Sequence, residues 1–507
     1  MNPGGYRLLG MWVLLIGVLV VGFDAAMLSQ PGSGETYDLV LQGGRVIDPE
    51  TGLDGVRNVG IRGDRIMEIS ERPLRGREVL DVSGLVVAPG FIDLHAHGQT
   101  NEANEYQAHD GVTTALELES GEDFLTEWLA SRTGRALINF GATVPHAGVR
   151  WRAMDQYAAQ ADRMGRMVRE SGLETEELAE VRRELGQARY EPVPPGRFAS
   201  MVEGLEAGLR AGALGIGVSV GYYPGATRGE LFEVYRVAAE WQAPVFTHVR
   251  EISLAGIQEA IAHAAVTGAP LHIVHLNSMA LGEIAVALEM VASAQAQGLD
   301  ITTEVYPYTA ASTGIASTLF DPGWQDRMRI SYRDLQWQDT GERLTAESFS
   351  VYREQTGTVI IHLMKPEWID AGVGSPVTMI GSDGMPYAPG AHPRSAGTFA
   401  RVLGRYVRER GTLTLMDALS KMTIRPARRL EGIAPAMRLK GRIQVGCDAD
   451  ITVFDAATVS DTATFEGDLT FSVGILHVVV GGQFVVRDGV TVPDVYAGRP
   501  ILGRYRR

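Results

Sequence analysis

Histidine and carboxylate side chains follow a short apolar run early in this chain, at a spacing that suits a metal ion. The segment GFIDLHAH, residues 90–97, carries Asp93, His95 and His97 at alternate positions. Successive side chains on a strand point to opposite faces, so these three residues share one face. Histidine, glutamate and aspartate are ligands that zinc takes, with a position left open for water. The segment therefore indicates a metal site at the end of a strand.

The same residue types recur where other predicted strands end. Eight short apolar runs are typical of buried strands and lie at residues 91–97, 113–119, 136–143, 213–220, 243–249, 270–276, 301–308 and 377–383. Their carboxyl ends carry His95 and His97 (first strand), Glu117 and Glu119 (second), His248 (fifth), His275 (sixth), Tyr306 and Tyr308 (seventh) and Asp383 (eighth). The carboxyl ends of parallel strands meet at one rim, so we expect these side chains to lie together. His146, after the third strand, could face the same pocket but is not counted as a ligand.

Strands and helices must alternate to bring these ends together. Most intervals between the eight runs are long enough for a helix, which predicts an α/β fold with a parallel, TIM-like (β/α)8 barrel over residues 89–428. Two intervals, 144–212 and 309–376, are overlong and predict lid or interface elements. The β-rich flanks, 36–88 and 429–507, predict one small β-sandwich built from both chain ends.

The first thirty residues differ from the rest. Arg7 precedes an uncharged apolar run at residues 8–23, and a polar segment follows it. This pattern is typical of a signal peptide or an N-terminal membrane anchor, and we assign residues 1–30 to it. We therefore expect an exported protein that is periplasmic or tethered to the membrane through residues 8–23.

Composition excludes some partners and some metal sites. The chain has 507 residues, a net charge of −15 and a pI near 5.3, which argues against nucleic acid as a partner. Cys447 is the only cysteine, so neither an intrachain disulfide nor a zinc site built on cysteine can form. None of the three lysines, Lys365, Lys421 and Lys440, lies on a predicted barrel strand.

Several longer segments are similar to one enzyme family. They are HVRE (248–251), YPYTAAST (306–313), GSDGMPY (381–387), HPRSAGTFARVLGRYVRE (392–409) and VSDTATFE (459–466). With the strand-one HxH, these segments resemble the amidohydrolase superfamily and, within it, the N-acyl-D-amino-acid deacylases, or D-aminoacylases. The resemblance runs from about residue 37 to the last β segment. It implies a zinc hydrolase that cleaves the amide of an N-acyl-D-amino acid, giving a D-amino acid and a carboxylate.

The resemblance also implies a metal site of one or two zinc ions. His248 and His275 would hold the tighter ion, and His95 and His97 would line a second site. Asp383 would take a proton from the attacking water and pass it to the leaving amine. Bound zinc makes hydroxide available near neutral pH and polarises the amide carbonyl.

The implied substrate is a small N-acylated amino acid. Arg394 matches an arginine that clamps the substrate carboxylate, as a planar guanidinium does well. Tyr308 lies where the family has a tyrosine that helps bind the same carboxylate. Asn277 stands where the family commonly has a lysine, so it keeps hydrogen bonding but loses the charge.

Two departures from the family concern the metal bridge. The D-aminoacylases carry a cysteine ligand after strand two, where this chain reads LELESG. Other amidohydrolases use a carboxylated lysine on strand four, which this chain lacks. A strand-two glutamate is the remaining candidate, and Glu119, nearer the rim, is preferred to Glu117. The alternative, in which both glutamates only pair with arginines, stays open.

Two other functions also stay open. One is a dipeptidase or a cyclic amidase such as a hydantoinase, with the same metal site. The other is a non-catalytic exported binding protein on an amidohydrolase barrel. The sequence leaves the side chain, the acyl group and the oligomeric state undetermined.

Overall fold

The computed structural model describes residues 36–171, 176–355 and 357–505. The predicted leader, residues 1–30, lies outside this part of the chain. The strands are β1 (Thr36–Asp48), β2 (Leu53–Arg62), β3 (Arg65–Ser70), β4 (Arg75–Asp81), β5 (Val86–Pro89), β6 (Phe91–Asp93), β7 (Val112–Glu117), β8 (Asn139–Ala142), β9 (Val144–Pro145), β10 (Ile216–Ser219), β11 (Val245–His248), β12 (Leu271–Ile273), β13 (Ile301–Val305), β14 (Ala311–Gly314), β15 (Leu335–Trp337), β16 (Thr358–Ile361), β17 (Thr378–Ile380), β18 (Ile451–Phe454), β19 (Ile475–Val480), β20 (Gln483–Arg487) and β21 (Val490–Thr491).

Helices follow most of the barrel strands. They are α1 (Asn101–His109), α2 (Leu125–Arg132), α3 (His146–Ala153), α4 (Asp155–Ser171), α5 (Glu176–Gly186), α6 (Phe198–Arg210), α7 (Arg228–Trp241), α8 (Leu254–Thr267), α9 (Leu276–Ala280), α10 (Ile284–Ala296), α11 (Trp324–Met328), α12 (Ala346–Arg353), α13 (Pro366–Gly374), α14 (Arg394–Arg401), α15 (Leu415–Met422) and α16 (Ile424–Glu431). Hydroxyl side chains cap α1, α7 and α8: Thr100, Thr227 and Ser253 each accept a hydrogen bond from a first-turn N–H. These caps set where the loops after the strands end.

All eight predicted barrel strands are present, and their parallel order is confirmed. One parallel ladder contains β6, β7 and β8, and a second runs β9, β10, β11, β12, β13 and β17. Apolar side chains fill the interior, among them Leu116, Phe246 and Val274. The barrel thus brings the carboxyl ends of its strands to one rim.

The prediction of a closed barrel differs from the structure, because no continuous ladder joins β17 to β6 in the described chain. These strands end early, at Ile380 and Asp93. Beyond them, one isolated bridge pairs Ala96 with Gly384, and the His97 N–H donates to the Gly384 carbonyl at 2.8 Å. Loop contacts therefore take the place of a strand ladder at this seam.

Both chain ends contribute to one sheet, as predicted, but the described residues do not form two separate facing sheets. The nine-stranded mixed sheet runs β21, β20, β19, β18, β5, β1, β2 and β3, and β4 also pairs with β1. The long strand β1 has a bulge between Leu41 and Gly44 and pairs with β4 before it and β5 after it. Because Gly43 takes a φ of +76°, the strand bends while it stays hydrogen-bonded. The bent strand β1 thus keeps the strands from both chain ends in a single sheet.

The overlong interval 309–376 contains a small subdomain over the rim. Strands β14, β16 and β15 form an antiparallel sheet, with α11 and α12 beside it. Its own apolar cluster includes Phe320, Trp324, Trp337 and Phe349. The other overlong interval, 144–212, contains α3 to α6.

One run in the described chain, Leu276–Ala296, is long and apolar enough to cross a membrane by length and composition. In the fold this run comprises α9 and α10, which contact the barrel strand β13. The two helices therefore form part of the barrel wall.

Candidate active site

A buried aspartate holds the ends of the first and last barrel strands together. Asp93 Oδ1 accepts hydrogen bonds from the backbone N–H groups of His95 and Ser382, both at 3.0 Å. Asp93 Oδ2 accepts the Ser382 hydroxyl at 2.5 Å. Burial raises the pKa of Asp93 to about 6. This contact places the strand-one histidines beside Asp383, the residue after Ser382.

The first group of ligand atoms comes from strands one, two and eight. His95 Nε2 lies 3.3 Å from His97 Nε2 and 2.7 Å from Glu119 Oε2. Asp383 Oδ1 is 3.6 Å from His95 Nε2 and 3.5 Å from His97 Nε2. Ligand atoms about 2.1 Å from a tetrahedral zinc ion lie about 3.4 Å from one another. His95, His97 and Glu119 therefore fit one metal ion, and Asp383 lies close enough to reach the same position.

The second group shares Glu119 with the first. Glu119 Oε1 lies 3.3 Å from His248 Nδ1, which is 3.1 Å from His275 Nε2. Burial, with the nearby His248, lowers the pKa of His275 to about 3, so its ring is neutral, as a ligand requires. The two oxygens of Glu119 thus face different histidine groups, which suits a carboxylate that bridges two ions.

Carboxylates behind the strand-one histidines orient their rings. His95 Nδ1 lies 2.5 Å from Glu304 Oε1, and His97 Nδ1 lies 2.7 Å from Glu117 Oε2. A carboxylate on Nδ1 leaves Nε2 as the metal-binding atom. Glu304 Oε2 also lies 3.2 Å from His272 Nε2. Glu117 thus contacts the far side of the His97 ring, whereas Glu119 belongs to both groups of ligand atoms.

Buried charges determine which of these groups are ionised. Burial alone would lower the pKa of His95, but the charges of Asp383 and Glu304 and hydrogen bonds to Glu119 and Glu304 raise it well above its ordinary value. Burial would raise the pKa of Glu304, but His95 and His272 lower it to about 2. The carboxylate behind His95 is therefore ionised at neutral pH.

Asp383 lies beside the two groups of ligand atoms, which are together called the metal cluster below, and is positioned for proton transfer. Burial would raise its pKa, but the charges of Arg394 and His95 hold it well below its usual value. Its backbone takes a φ of +51°, and His275 takes +33°. Such left-handed conformations of non-glycine residues are costly and concentrate at functional sites. Asp383 can therefore act as a general base towards a water beside the histidines.

The predicted carboxylate anchor, Arg394, is brought to the site. Its Nη1 lies 2.8 Å from Asp383 Oδ2, and its guanidinium covers the ring of Tyr306 at 4.7 Å. Arg394 Nε has no hydrogen-bond acceptor in the described chain. Asn277 lies beneath the same tyrosine, because its amide donates to the Tyr306 carbonyl at 3.2 Å and its own Oδ1 has no partner among the described residues.

The predicted role of Tyr308 does not match its position. Its hydroxyl donates to Asp461 at 3.3 Å, and its ring lies under Arg401. Tyr306, two residues earlier, is instead the tyrosine beside Arg394. Strand β13 ends at Val305, and beyond that residue the alternation of a strand no longer determines side-chain direction. The sequence signal that could have selected Tyr306 is its position as the first residue after the strand.

A cavity of about 240 Å³ opens over the metal cluster. Its polar walls include Ser278, Thr313 and Tyr222, whose hydroxyl lies 3.1 Å from Thr313 Oγ1. Its apolar lining comprises Ile252, Met279, Ala311, Leu319, Met328, Ile361, Leu363 and Met385. Sequence reasoning did not select these residues, because most of them belong to loops and to the subdomain in 309–376. Tyr222 could have been suspected, since a Tyr-Tyr pair follows the fourth strand.

The remaining uncertain histidine, His146, lies away from the ligand groups. His146 Nε2 is 2.8 Å from Glu230 Oε1, which also accepts from Arg150 Nε at 2.8 Å. All three side chains are fully buried. Burial would raise the pKa of Glu230, but the hydrogen bond and charge of His146 and the charge of Arg150 lower it to about 2. This cluster links α3, which carries His146 and Arg150, to Glu230 on α7.

Comparison with known proteins assigns the chain to a family. Residues 143–486, more than half of the chain, match the profile described as the Amidohydrolase family. The N-acyl-D-glutamate deacylase of Alcaligenes xylosoxydans xylosoxydans is 33% identical over 476 residues, covering 88% of this chain and 93% of that protein. The D-aminoacylase of the same organism is 30% identical over 531 residues, covering 94% and 99%.

A solved structure agrees with these matches. The N-acyl-D-glutamate deacylase from Bordetella bronchiseptica, complexed with zinc and a phosphonate inhibitor that mimics the tetrahedral intermediate, superposes with a TM-score of 0.75 at 26% identity, covering 92% of this chain and 100% of that one. Fold and site thus define a metal-dependent hydrolase on a parallel α/β barrel. The chain belongs to the amidohydrolase superfamily, in its D-aminoacylase branch, and is an enzyme of this zinc-dependent family. The resemblance predicted from the sequence is confirmed.

Proposed function

We propose that this enzyme hydrolyses the amide bond of N-acyl-D-amino acids, giving a D-amino acid and a carboxylate. The observation that carries the proposal is the buried pair of Arg394 and Asp383, 2.8 Å apart, beside two groups of metal-ligand atoms. It combines an anchor for a carboxylate with an acid–base group at the reacting bond. An open substrate with a free α-carboxylate suits this pair better than a cyclic amide does.

The metal is zinc in one or two sites. His95, His97 and Glu119 would hold one ion, and Glu119, His248 and His275 would hold the other. When bound, zinc polarises the amide carbonyl and makes hydroxide available near neutral pH. The donor set of histidine nitrogens and carboxylate oxygens, without cysteine, suits this ion.

The protein side chains move the protons and hold the substrate. Asp383 takes a proton from the attacking water and delivers it to the departing nitrogen, so the amine leaves neutral, and the acyl product becomes a carboxylate by releasing its remaining proton to solvent. Arg394 binds the α-carboxylate, with the Tyr306 ring beneath its guanidinium. With the carboxylate and the acyl carbonyl both fixed, the two enantiomers direct their side chains differently. The family resemblance supplies the preference for the D form.

The cavity lining limits which side chains the amino acid of the substrate can carry. Neither lysine nor arginine is among the described residues that line the 240 Å³ cavity, and Arg394, which lies behind the lining residue Asp383, is assigned to the α-carboxylate. A second carboxylate in the substrate side chain would have no cation to meet there, and a buried unpaired charge is costly. Neutral, apolar D-amino acids are therefore the proposed substrates.

The test is a substrate panel with purified, zinc-loaded protein. We expect hydrolysis of N-acetyl-D-leucine and N-acetyl-D-methionine, slow reaction with N-acetyl-D-glutamate, and little reaction with the L forms. Arg394→Ala is expected to lower kcat/KM by two to three decades at unchanged zinc content, because losing a buried charge-assisted pair typically costs about 2–5 kcal/mol. Tyr306→Leu and Tyr308→Leu form a matched pair, of which only the first should raise KM, because only Tyr306 places its ring beneath the guanidinium of Arg394. Equal hydrolysis of D and L forms, or faster hydrolysis of hydantoins, would overturn the proposal.

A further inference from the structure

A second cavity adjoins the one over the metal cluster. It measures about 550 Å³ and shares three apolar side chains with the first cavity: Ile252, Leu319 and Met328. Ile252 and Leu319 are only half-buried, so they border open space instead of filling a core. The shared side chains form an apolar throat between the two cavities. We propose, on the basis of the proposed function, that this second cavity is a subsite for a long apolar acyl chain of the substrate.

The position of the second cavity matches the acyl end of the substrate. In an N-acyl amino acid, the α-carboxylate and the acyl chain extend from opposite ends of the scissile amide. Arg394 follows β17, the eighth strand of the barrel, so the carboxylate end lies there. The second cavity lies beyond β10 and β11, the fourth and fifth strands, where Val220, Gly221 and Ile252 line it. Three strands separate β10 from β17 along the ladder, so the two binding regions lie across the rim from each other.

All four charged residues of the described chain that line the second cavity have partners within the fold: Glu251 accepts the Ser253 hydroxyl at 3.4 Å, Asp321 pairs with Arg353 at 2.9 Å, and the two arginines are bonded as follows. Arg250 donates to Glu259 at 2.9–3.0 Å and to the Ala226 carbonyl at 2.7 Å. Arg327 donates to backbone carbonyls of its own turn, those of Leu319, Asp321 and Pro322. The throat itself is lined by hydrocarbon surface, from Ile252, Leu319 and Met328. An alkyl chain is the ligand that gains from such a lining.

An acetyl group has only one methyl group beyond the carbonyl, so under this proposal it gains little from the throat and the second cavity. Each further methylene buried in the throat is worth about 0.8 kcal/mol, which corresponds to about fourfold in kcat/KM. Incomplete burial and ordering of the chain reduce this gain. We therefore expect N-octanoyl substrates to exceed N-acetyl substrates by at least tenfold in kcat/KM.

The experiment measures a chain-length series with zinc-loaded, full-length protein. N-acetyl, N-butanoyl, N-hexanoyl and N-octanoyl derivatives of one D-amino acid are compared in the wild type, in Leu319→Trp and in Ile252→Trp. Each variant narrows the throat at a different point, and each should lower the octanoyl-to-acetyl ratio at least tenfold. Val351→Trp is the control, because Val351 is 58% exposed on the outer face of the same subdomain. It should leave the ratio unchanged.

Binding measurements separate this proposal from the proposed function. In an Asp383→Asn variant, dissociation constants for the same series are read by calorimetry without turnover. If the Asp383→Asn variant binds longer acyl chains more tightly, and either throat substitution in it reduces this trend, the subsite is supported whether or not hydrolysis proceeds. A flat series, or a preference for dipeptides over acyl chains, overturns the subsite, while hydrolysis of the N-acetyl compound would still uphold the deacylase assignment.

Discussion

Glu304 is expected to tune the metal affinity of the first ligand group without binding the metal. Its Oε1 lies 2.5 Å from His95 Nδ1, and its side chain is 2% exposed, so water does not screen the pair. Glu304→Gln keeps the shape and one acceptor oxygen but removes the charge that holds the His95 ring in place. Changes to such supporting carboxylates typically cost 10–100-fold in metal affinity, or about 1.4–2.7 kcal/mol.

The structure places the glutamine variant near the lower of these values and a leucine variant near the upper. Glutamine can still accept the His95 N–H, so we expect about tenfold weaker zinc binding. Leucine accepts nothing and also leaves His272 Nε2 without its partner at 3.2 Å, so we expect about a hundredfold. Zinc titration against a competing chromophoric chelator measures both constants.

The same substitution elsewhere provides the control. Glu259 is 13% exposed and pairs with Arg250 and His263, away from the metal ligands. Glu259→Gln should leave zinc affinity unchanged even where it lowers the melting temperature. Wild-type zinc affinity in both Glu304 variants, with the fold intact by circular dichroism, would refute the role given to Glu304.

The remaining predictions concern stability and the metal bridge. Glu230→Gln is expected to lower the free energy of unfolding at neutral pH by about 3 kcal/mol, because His146 and Arg150 hold the pKa of Glu230 at about 2 in the folded protein against an ordinary 4.5. This stabilisation is present above pH 4.5 and is lost as the pH falls towards 2, so urea titrations of metal-free protein should show the difference shrink; a pH-independent difference contradicts it. Glu119→Gln is expected to lose most of its zinc by elemental analysis, because one ligand oxygen and the bridging charge are lost together, whereas Glu117→Gln should lose less. The reverse order would move the bridge to Glu117, and two unaffected variants would exclude a strand-two carboxylate ligand.

Residue type and spacing were enough to predict which side chains lie together at the rim. The histidines and carboxylates predicted at strand ends lie within one rim, since the parallel order of the barrel strands determines where those ends meet. Glu119 could be preferred to Glu117 as the ligand because it lies two residues further along the chain and therefore nearer the rim. These inferences depend on local periodicity and on the fold class.

The partner that each of these side chains contacts could not be predicted in this way. Tyr306 and Tyr308 have the same parity, yet they point to different partners because the chain has left β13 before either residue. Asp93 shares a predicted strand face with His95 and His97, but in the structure its carboxylate accepts hydrogen bonds from the backbone N–H and the hydroxyl of Ser382. Such contacts join residues far apart in the chain, and no local pattern encodes them. The cavity walls depend in the same way on how the subdomain in 309–376 lies over the rim.

The pairing of β5 with β18 has a consequence for the order of events during synthesis. Strand β5 ends at Pro89, directly before the strand that leads to His95 and His97, and its antiparallel partner β18 covers Ile451–Phe454. A ribosome therefore emits the first two metal-ligating histidines long before the segment that supports them. Contacts between such distant parts of a chain form late, because a long loop must close first. The HxH segment is thus made while the strand that supports it is still missing, and this support is complete only when nearly the whole protein has been translated.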